Sequence, residues 1–150
     1  MHYNKSKPIT ILMADDDEDD RILTQDALKE SRVRNSLYCV NDGVELLEYL
    51  RRQGKFADKK LSPRPGLILL DLNMPRKDGR EALEEIKADA ELKNIPVVIL
   101  TTSIQEEDKI KGYDLGAASY ITKPVNFDGL VDLMKALGRY WIEFVELPNE

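Results

Sequence analysis

The chain has 150 residues and carries one histidine, one cysteine and one tryptophan. The histidine is His2, in the stretch Met1-His2-Tyr3-Asn4-Lys5-Ser6-Lys7, which reads as a flexible terminus. A Ser-His-Asp triad, a Cys-His pair and a multi-histidine metal centre are therefore excluded. Cys39 has no second cysteine to bond with. It lies in the run Leu37-Tyr38-Cys39-Val40 and reads as a small core residue. No apolar run approaches the roughly 20 residues of a membrane span, so no membrane partner is expected. No apolar h-region follows Met1, so no signal peptide is expected and the chain reads as cytoplasmic. Positive charge is in deficit: 22 Lys and Arg stand against 28 Asp and Glu, for a net charge of -6. A phosphate backbone wants the opposite balance, so no DNA partner is expected. Any chemistry falls to carboxylates, hydroxyls, lysines and backbone groups.

What is present is organised around Pro65-Gly66-Leu67-Ile68-Leu69-Leu70-Asp71-Leu72-Asn73-Met74-Pro75. A short apolar run without a polar break, with turn residues on both flanks, reads as a strand buried on both faces. The same pattern recurs along the chain. Ile9 to Ala14 reads as a first strand and ends in Asp15-Asp16-Asp17-Glu18-Asp19-Asp20. A helix to about Val33 follows, with Leu23, Ala27 and Leu28 as inward positions. Asp17 to Asp20 read as first-turn acids that suit the helix dipole. Ser36 to Val40 is a second strand, and Asn41-Asp42-Gly43 opens a helix. Gly54 to Pro65 is a surface loop, long for its place. After the central strand, Ala82, Leu83, Ile86 and Ala90 mark an amphipathic helix over Arg80 to Ala90. Ile95 to Leu100 is a fourth strand, Gln105 to Leu115 a polar helix, and Ala117 to Thr122 a fifth strand. Asn126 caps a last helix reaching about Val145. Strands alternating with helices specify a parallel sheet covered on both faces, in one α/β domain with its core over about residues 8 to 145.

In such a sheet the carboxyl ends of the strands converge on one edge, where ligands bind. That edge collects Asp15 and Asp16 after the first strand, Asp71 after the third, Thr101 after the fourth and Lys123 after the fifth. Hard oxygen ligands of this kind suit Mg²⁺ together with a phosphoryl oxygen, and a lysine ammonium pairs with phosphate. The set reads as a site for a phosphoryl group on or near Asp71.

The motifs Ile11-Leu12-Met13-Ala14-Asp15-Asp16-Asp17, Leu69-Leu70-Asp71-Leu72-Asn73-Met74-Pro75 with Asp78-Gly79, Val98-Ile99-Leu100-Thr101-Thr102-Ser103, and Gly116-Ala117 leading to Tyr120-Ile121-Thr122-Lys123-Pro124 resemble those of response-regulator receiver domains. The resemblance spans nearly the whole chain. It implies a doubly wound five-stranded flavodoxin-like sheet in the order 2-1-3-4-5. It implies Asp71 as phosphoacceptor, with Asp16, Asp71 and the backbone carbonyl of Asn73 as Mg²⁺ ligands and Asp15 acting through water. It also implies Lys123 as the contact to the phosphoryl oxygens, Thr101 as switch hydroxyl and Tyr120 as switch aromatic. The donor would be a histidine kinase, which suits a chain without a useful histidine, and the domain would signal to a protein partner without being an enzyme. The long loop before Asp71 and the ending Tyr140-Trp141-Ile142-Glu143-Phe144-Val145-Glu146-Leu147-Pro148 resemble regulators paired with phytochrome-type kinases. Only Glu146 to Glu150 follow the fifth unit, so output is expected from the receiver itself.

Further expectations follow. Lys123-Pro124 is expected to be cis, turning Lys123 back over the strand ends, while Met74-Pro75 and Ile95-Pro96 are trans. Along the last helix Phe127, Leu130, Met134, Leu137, Trp141 and Phe144 form a stripe expected to pack on the sheet in its first half. Leu133, Tyr140 and Leu147, with Val131 and Val145 nearby, form a second set off that stripe. A homodimer or a partner contact is expected there, with the fifth strand and the fourth helix. Rival readings are a haloacid-dehalogenase-type aspartyl-phosphate phosphatase, using the Asp-x-Asp spacing of Asp15 and Asp17, a flavodoxin, and a receiver that signals without phosphate.

Overall fold

The runs Ile11 to Ala14, Leu67 to Leu70 and Val97 to Leu100 contain no polar residue. Such runs are stable as strands only with both faces covered. In the computed structural model, which describes residues 9–31, 35–101 and 116–139, these runs form the centre of a parallel sheet. Its strands are β1 (Thr10–Ala14), β2 (Ser36–Val40), β3 (Leu67–Asp71), β4 (Val97–Thr101) and β5 (Ser119–Thr122). They lie in the order β2-β1-β3-β4-β5, as expected, with every neighbouring pair parallel.

The period-two alternation of side chains sorts the core into two halves. Leu12, Ala14, Ile68, Leu70, Val97 and Ile99 face α2 (Gly43–Arg51) and α3 (Gly79–Ala88). Ile11, Met13, Leu67, Leu69, Val98 and Leu100 face α1 (Glu18–Glu30) and a last helix (Phe127–Gly138). All five residues of β3 are buried. Its four apolar side chains contribute roughly 6–12 kcal/mol of gross burial energy, before chain entropy is subtracted. Asp71 therefore stands at the end of the best-anchored strand in the sheet.

Each of these helices opens on an Asp or Asn cap. Asp17, Asp42, Asp78 and Asn126 accept backbone N–H groups of the first turns. Asp78 and Glu81 complete a reciprocal capping box. Such caps stabilise a helix start by about 1 kcal/mol each. Gly79 is required by close approach: a Cβ there would lie 2.6 Å from the Asp71 carbonyl oxygen and 2.8 Å from the Leu72 Cα. The α3 start thus presses directly on the end of β3.

Several expectations are corrected. Leu23 points outward and is 44% exposed, while Thr24 takes the inward place and bonds its hydroxyl to the Asp20 carbonyl. Cys39 is exposed, because β2 is an edge strand whose residues do not all meet the core. α1 closes at Glu30, with Ser31 as its cap. Residues 54–65 are more than a loop. A 3-10 turn (Gly54–Phe56) sets Phe56 against Tyr49 at 5.3 Å between ring centroids, and the buried Ser62 donates to the Phe56 carbonyl. In the last helix Leu130, Met134 and Leu137 pack on the sheet as the stripe expects; Val131, expected near the outward set, joins them in the core, and Phe127, the first residue of the helix, stays 38% exposed. The helix expected over Gln105 to Leu115, Thr102, Ser103, and Tyr140 to Leu147 with the helix end at Val145 lie outside the described residues.

Candidate functional site

The strand register brings β1, β3 and β5 to one edge. One carboxylate oxygen from each of Asp15, Asp16 and Asp71 lies within 4.8 Å of the others. Asp15 and Asp71 are buried, and Asp16 is exposed. Asp15 is held from every side. Its N–H donates to the Val40 carbonyl, its carbonyl accepts from Arg21 Nη1 at 2.7 Å, and its Oδ1 accepts the Asp17 N–H at 2.9 Å. Asp71 Oδ1 accepts the Asn73 N–H at 3.3 Å.

Lys123 arrives from the end of β5. Its ammonium donates to Asp15 Oδ2 and to Asp20 Oδ2, both at 2.9 Å, and lies 3.8 Å from Asp71 Oδ2. Burial alone would lower the Lys123 pKa, but the carboxylates of Asp20, Asp15 and Asp71 outweigh it and raise it. Burial pushes the Asp71 carboxyl up to about 6, against the pull of Lys123; Asp15 and Asp16 push the same way as burial. No cis peptide occurs among the described residues: the Lys123–Pro124 bond is trans, contrary to expectation, while Met74–Pro75 and Ile95–Pro96 are trans, as expected. The trans form is the default for X-Pro, and the four-carbon lysine stem supplies the reach that the cis bond was invoked to provide.

The β3–α3 loop, which carries Asn73, is latched to the start of α2. Arg76 makes a two-point pair with the buried Asp42, Nε to Oδ2 at 2.7 Å and Nη2 to Oδ1 at 3.1 Å. Burial would raise the Asp42 pKa; the pair with Arg76 and the Glu45 N–H overcome that and lower it. Arg76 sits at φ 65, in the left-handed region that costs a side-chain-bearing residue energy, and the bidentate pair offsets that cost. The Gly43 N–H also donates to the Lys77 carbonyl, at a contact that leaves a Cβ only 2.3 Å from that oxygen.

Thr101 ends β4, in register with Thr122, and Leu100 lies beside Asp71. The Thr101 hydroxyl lies outside what the structure describes. Tyr120 is half-buried and packs on the core half under α2 and α3. Two residues were missed as site residues. Asp20 read only as a first-turn acid, and Asp42 only as part of a turn. One signal for Asp20 was its place five residues after Asp15, in the first turn beside the strand end.

The geometry weighs on the rival chemistries. Asp17, needed by the phosphatase reading as the second member of an Asp-x-Asp pair, is spent on α1, accepting the N–H groups of Asp19 and Asp20. A flavin phosphate would meet an acidic loop after β1. The three hard oxygen donors fit a small divalent cation such as Mg²⁺. Next to them Lys123 offers a fixed positive charge, and Asp71 offers a nucleophilic oxygen.

The family of response regulator receiver domains matches residues 11–135. Response regulator Rcp1 of Synechocystis sp. is 43% identical over 148 residues, covering 99% of this chain and 99% of that one. The solved structure of the phosphorylated cyanobacterial phytochrome response regulator RcpA is 44% identical and superposes with a TM-score of 0.83, over 95% of this chain and 100% of that one. The Mn²⁺-bound form of Rcp1 superposes with a TM-score of 0.80 at 44% identity, over the same shares. The match runs across every strand that builds the acidic edge, and the chain accordingly belongs to the response regulator receiver domains of two-component signalling.

Proposed function

We propose that the chain accepts a phosphoryl group from a histidine kinase on Asp71, with Mg²⁺ beside it, and signals to a protein partner by the shape change that follows. The observation that carries this is the Lys123 ammonium 3.8 Å from Asp71 Oδ2, with Asp15 and Asp16 alongside. Receiver domains take their signals from histidine kinases, and this chain is a signalling protein of that family. In the transfer an Asp71 oxygen attacks phosphorus, forming an acyl phosphate. The P–N bond of the phosphohistidine breaks, and its electron pair leaves with the imidazole, which takes up a proton. With its pKa near 6, Asp71 is mostly ionised at neutral pH and able to attack.

Mg²⁺ would be held by Asp16, Asp71 and the Asn73 carbonyl, with Asp15 acting through water. An Mg²⁺ octahedron measures only about 4 Å across, and both Asp15 oxygens already hold donors, which supports the indirect role. When bound, the cation offsets negative charge on the phosphoryl oxygens. Lys123 donates to one of those oxygens. The added charge of about -1.5 to -2 then draws the Thr101 hydroxyl inward and lets Tyr120 fill the space it leaves. The 150 residues act as one receiver domain that catalyses nothing beyond its own loading and unloading, in the cytoplasm and without binding DNA. Among the described residues no helix is long and apolar enough to cross a membrane.

The kinase is proposed to be of phytochrome type, because RcpA is itself a phytochrome response regulator. Incubation with a phytochrome-type kinase carrying labelled phosphohistidine should move the label to Asp71 within minutes. Label that stays on that kinase, yet moves readily from a kinase of another class, would refute the assignment. A homodimer through the last helix, β5 and the segment Gln105 to Leu115 is proposed from the apolar residues past Gly138, including Tyr140 and Trp141. Sedimentation with and without beryllofluoride tests it: monomers in both states end the idea.

A further inference from the structure

We propose that Asp20 is a positioning residue that restrains Lys123 in the unphosphorylated protein, so that loading Asp71 requires its release. The proposal rests on the phosphoacceptor reading of Asp71 and Lys123. An ammonium has three N–H donors. Two are held at 2.9 Å by Asp15 and Asp20, while Asp71 lies beyond hydrogen-bond length at 3.8 Å. The two holders differ in freedom. The Asp15 side chain is 1% exposed and is fixed further by the Asp17 N–H. The Asp20 side chain is 36% exposed, so its carboxylate can turn out to water at little desolvation cost. Asp20 is therefore the partner that gives way when a phosphoryl group arrives. It competes for the same ammonium and carries the same sign of charge as the incoming group. Its backbone belongs to the first turn of α1, which is tied to the strand edge by Arg21 at the Asp15 carbonyl. The carboxylate is thus delivered to Lys123 by a fixed support, and only the side chain has to move.

The test times the loading of Asp71 with acetyl phosphate and Mg²⁺ by intact mass. Asp20→Asn should load about three- to five-fold faster than wild type, the scale of a partly exposed ion pair, and Asp20→Glu should return towards the wild-type rate. In a Lys123→Ala background Asp20→Asn should give no gain, because the effect runs through the lysine. If Lys123→Ala loads too slowly to time, phosphoramidate replaces acetyl phosphate as the donor. It carries less negative charge, so a restraint on Lys123 gives the same gain with both donors, whereas general repulsion gives a gain that falls with the less anionic one. Equal rates for wild type and Asp20→Asn overturn the proposal. So does a gain that persists without Lys123, or one that falls with phosphoramidate. Wild-type protein that takes no label at all refutes the phosphoacceptor reading instead, which keeps the two failures distinct.

Discussion

Asp71→Asn is expected to take up no phosphoryl group under conditions in which the wild-type chain gains one, with an acyl phosphate donor and Mg²⁺. The substitution keeps the shape of the side chain and removes the anionic nucleophile. The nearby carboxylates are poor substitutes. Both Asp15 oxygens are engaged, one by the Asp17 N–H and one by Lys123, and Asp16 is exposed. Adding a chelator to the wild type should slow loading by about 100-fold or more, as for the loss of one strong stabiliser of transition-state charge. Intact mass reads both results. A label that survives in Asp71→Asn, or that forms equally fast in the chelator, would sink the assignment of this edge as the phosphoacceptor site.

Most of this site was legible in the sequence because it is built from strand ends. A run such as Leu67 to Leu70 can be buried only as a strand covered on both faces, and its last residue must then lie on the ligand edge. Asp15, Asp16, Asp71 and Lys123 follow from that argument, and the structure brings them together. Helix faces were harder to read. Leu23 and Thr24 are neighbours of similar plausibility, and the choice between them depends on how α1 is rotated on the sheet, which the last helix settles by packing against it. Phe127 and Val131 share one helix face, and Phe127 is the more exposed because it opens the helix at its end. Asp20 and Asp42 were missed for a different reason: each has an adequate local role, as a first-turn acid and as a turn residue. Their partners, Lys123 and Arg76, are distant in sequence, so only the folded chain shows the pairing. The Lys123–Pro124 bond is trans, and the flexible lysine side chain, not the backbone, carries the ammonium to the acidic edge.

Asp71→Asn should also make the metal-free protein more stable than the wild type at neutral pH. Asp71 is 6% exposed, and burial raises its pKa from 3.8 to about 6. A carboxyl raised on folding binds more protons in the folded state than in the unfolded one across that interval. Its contribution is therefore neutral below about pH 4 and becomes increasingly destabilising as the pH climbs to about 6, above which the full cost of burying the charge applies. At about 1.4 kcal/mol per unit, a shift of roughly two units sets a ceiling near 3 kcal/mol. The amide escapes this cost, keeps an oxygen to accept the Asn73 N–H, and leaves Lys123 paired with Asp15 and Asp20. Urea unfolding in a chelator should thus find Asp71→Asn about 1–3 kcal/mol more stable near pH 7.5, with the gap closing near pH 4. Groups that do not interact with Asp71 titrate alike in the two proteins and cancel from the difference. Saturating Mg²⁺ should narrow the gap by stabilising the folded wild type through mass action. A wild type that is the more stable of the two at neutral pH, or a gap that does not change between those pH values, would mean that Asp71 is not held in the folded chain as a costly buried charge. The readiness of this carboxylate to exchange its solvation for a cation and a phosphoryl group would then need another source than the burial of β3.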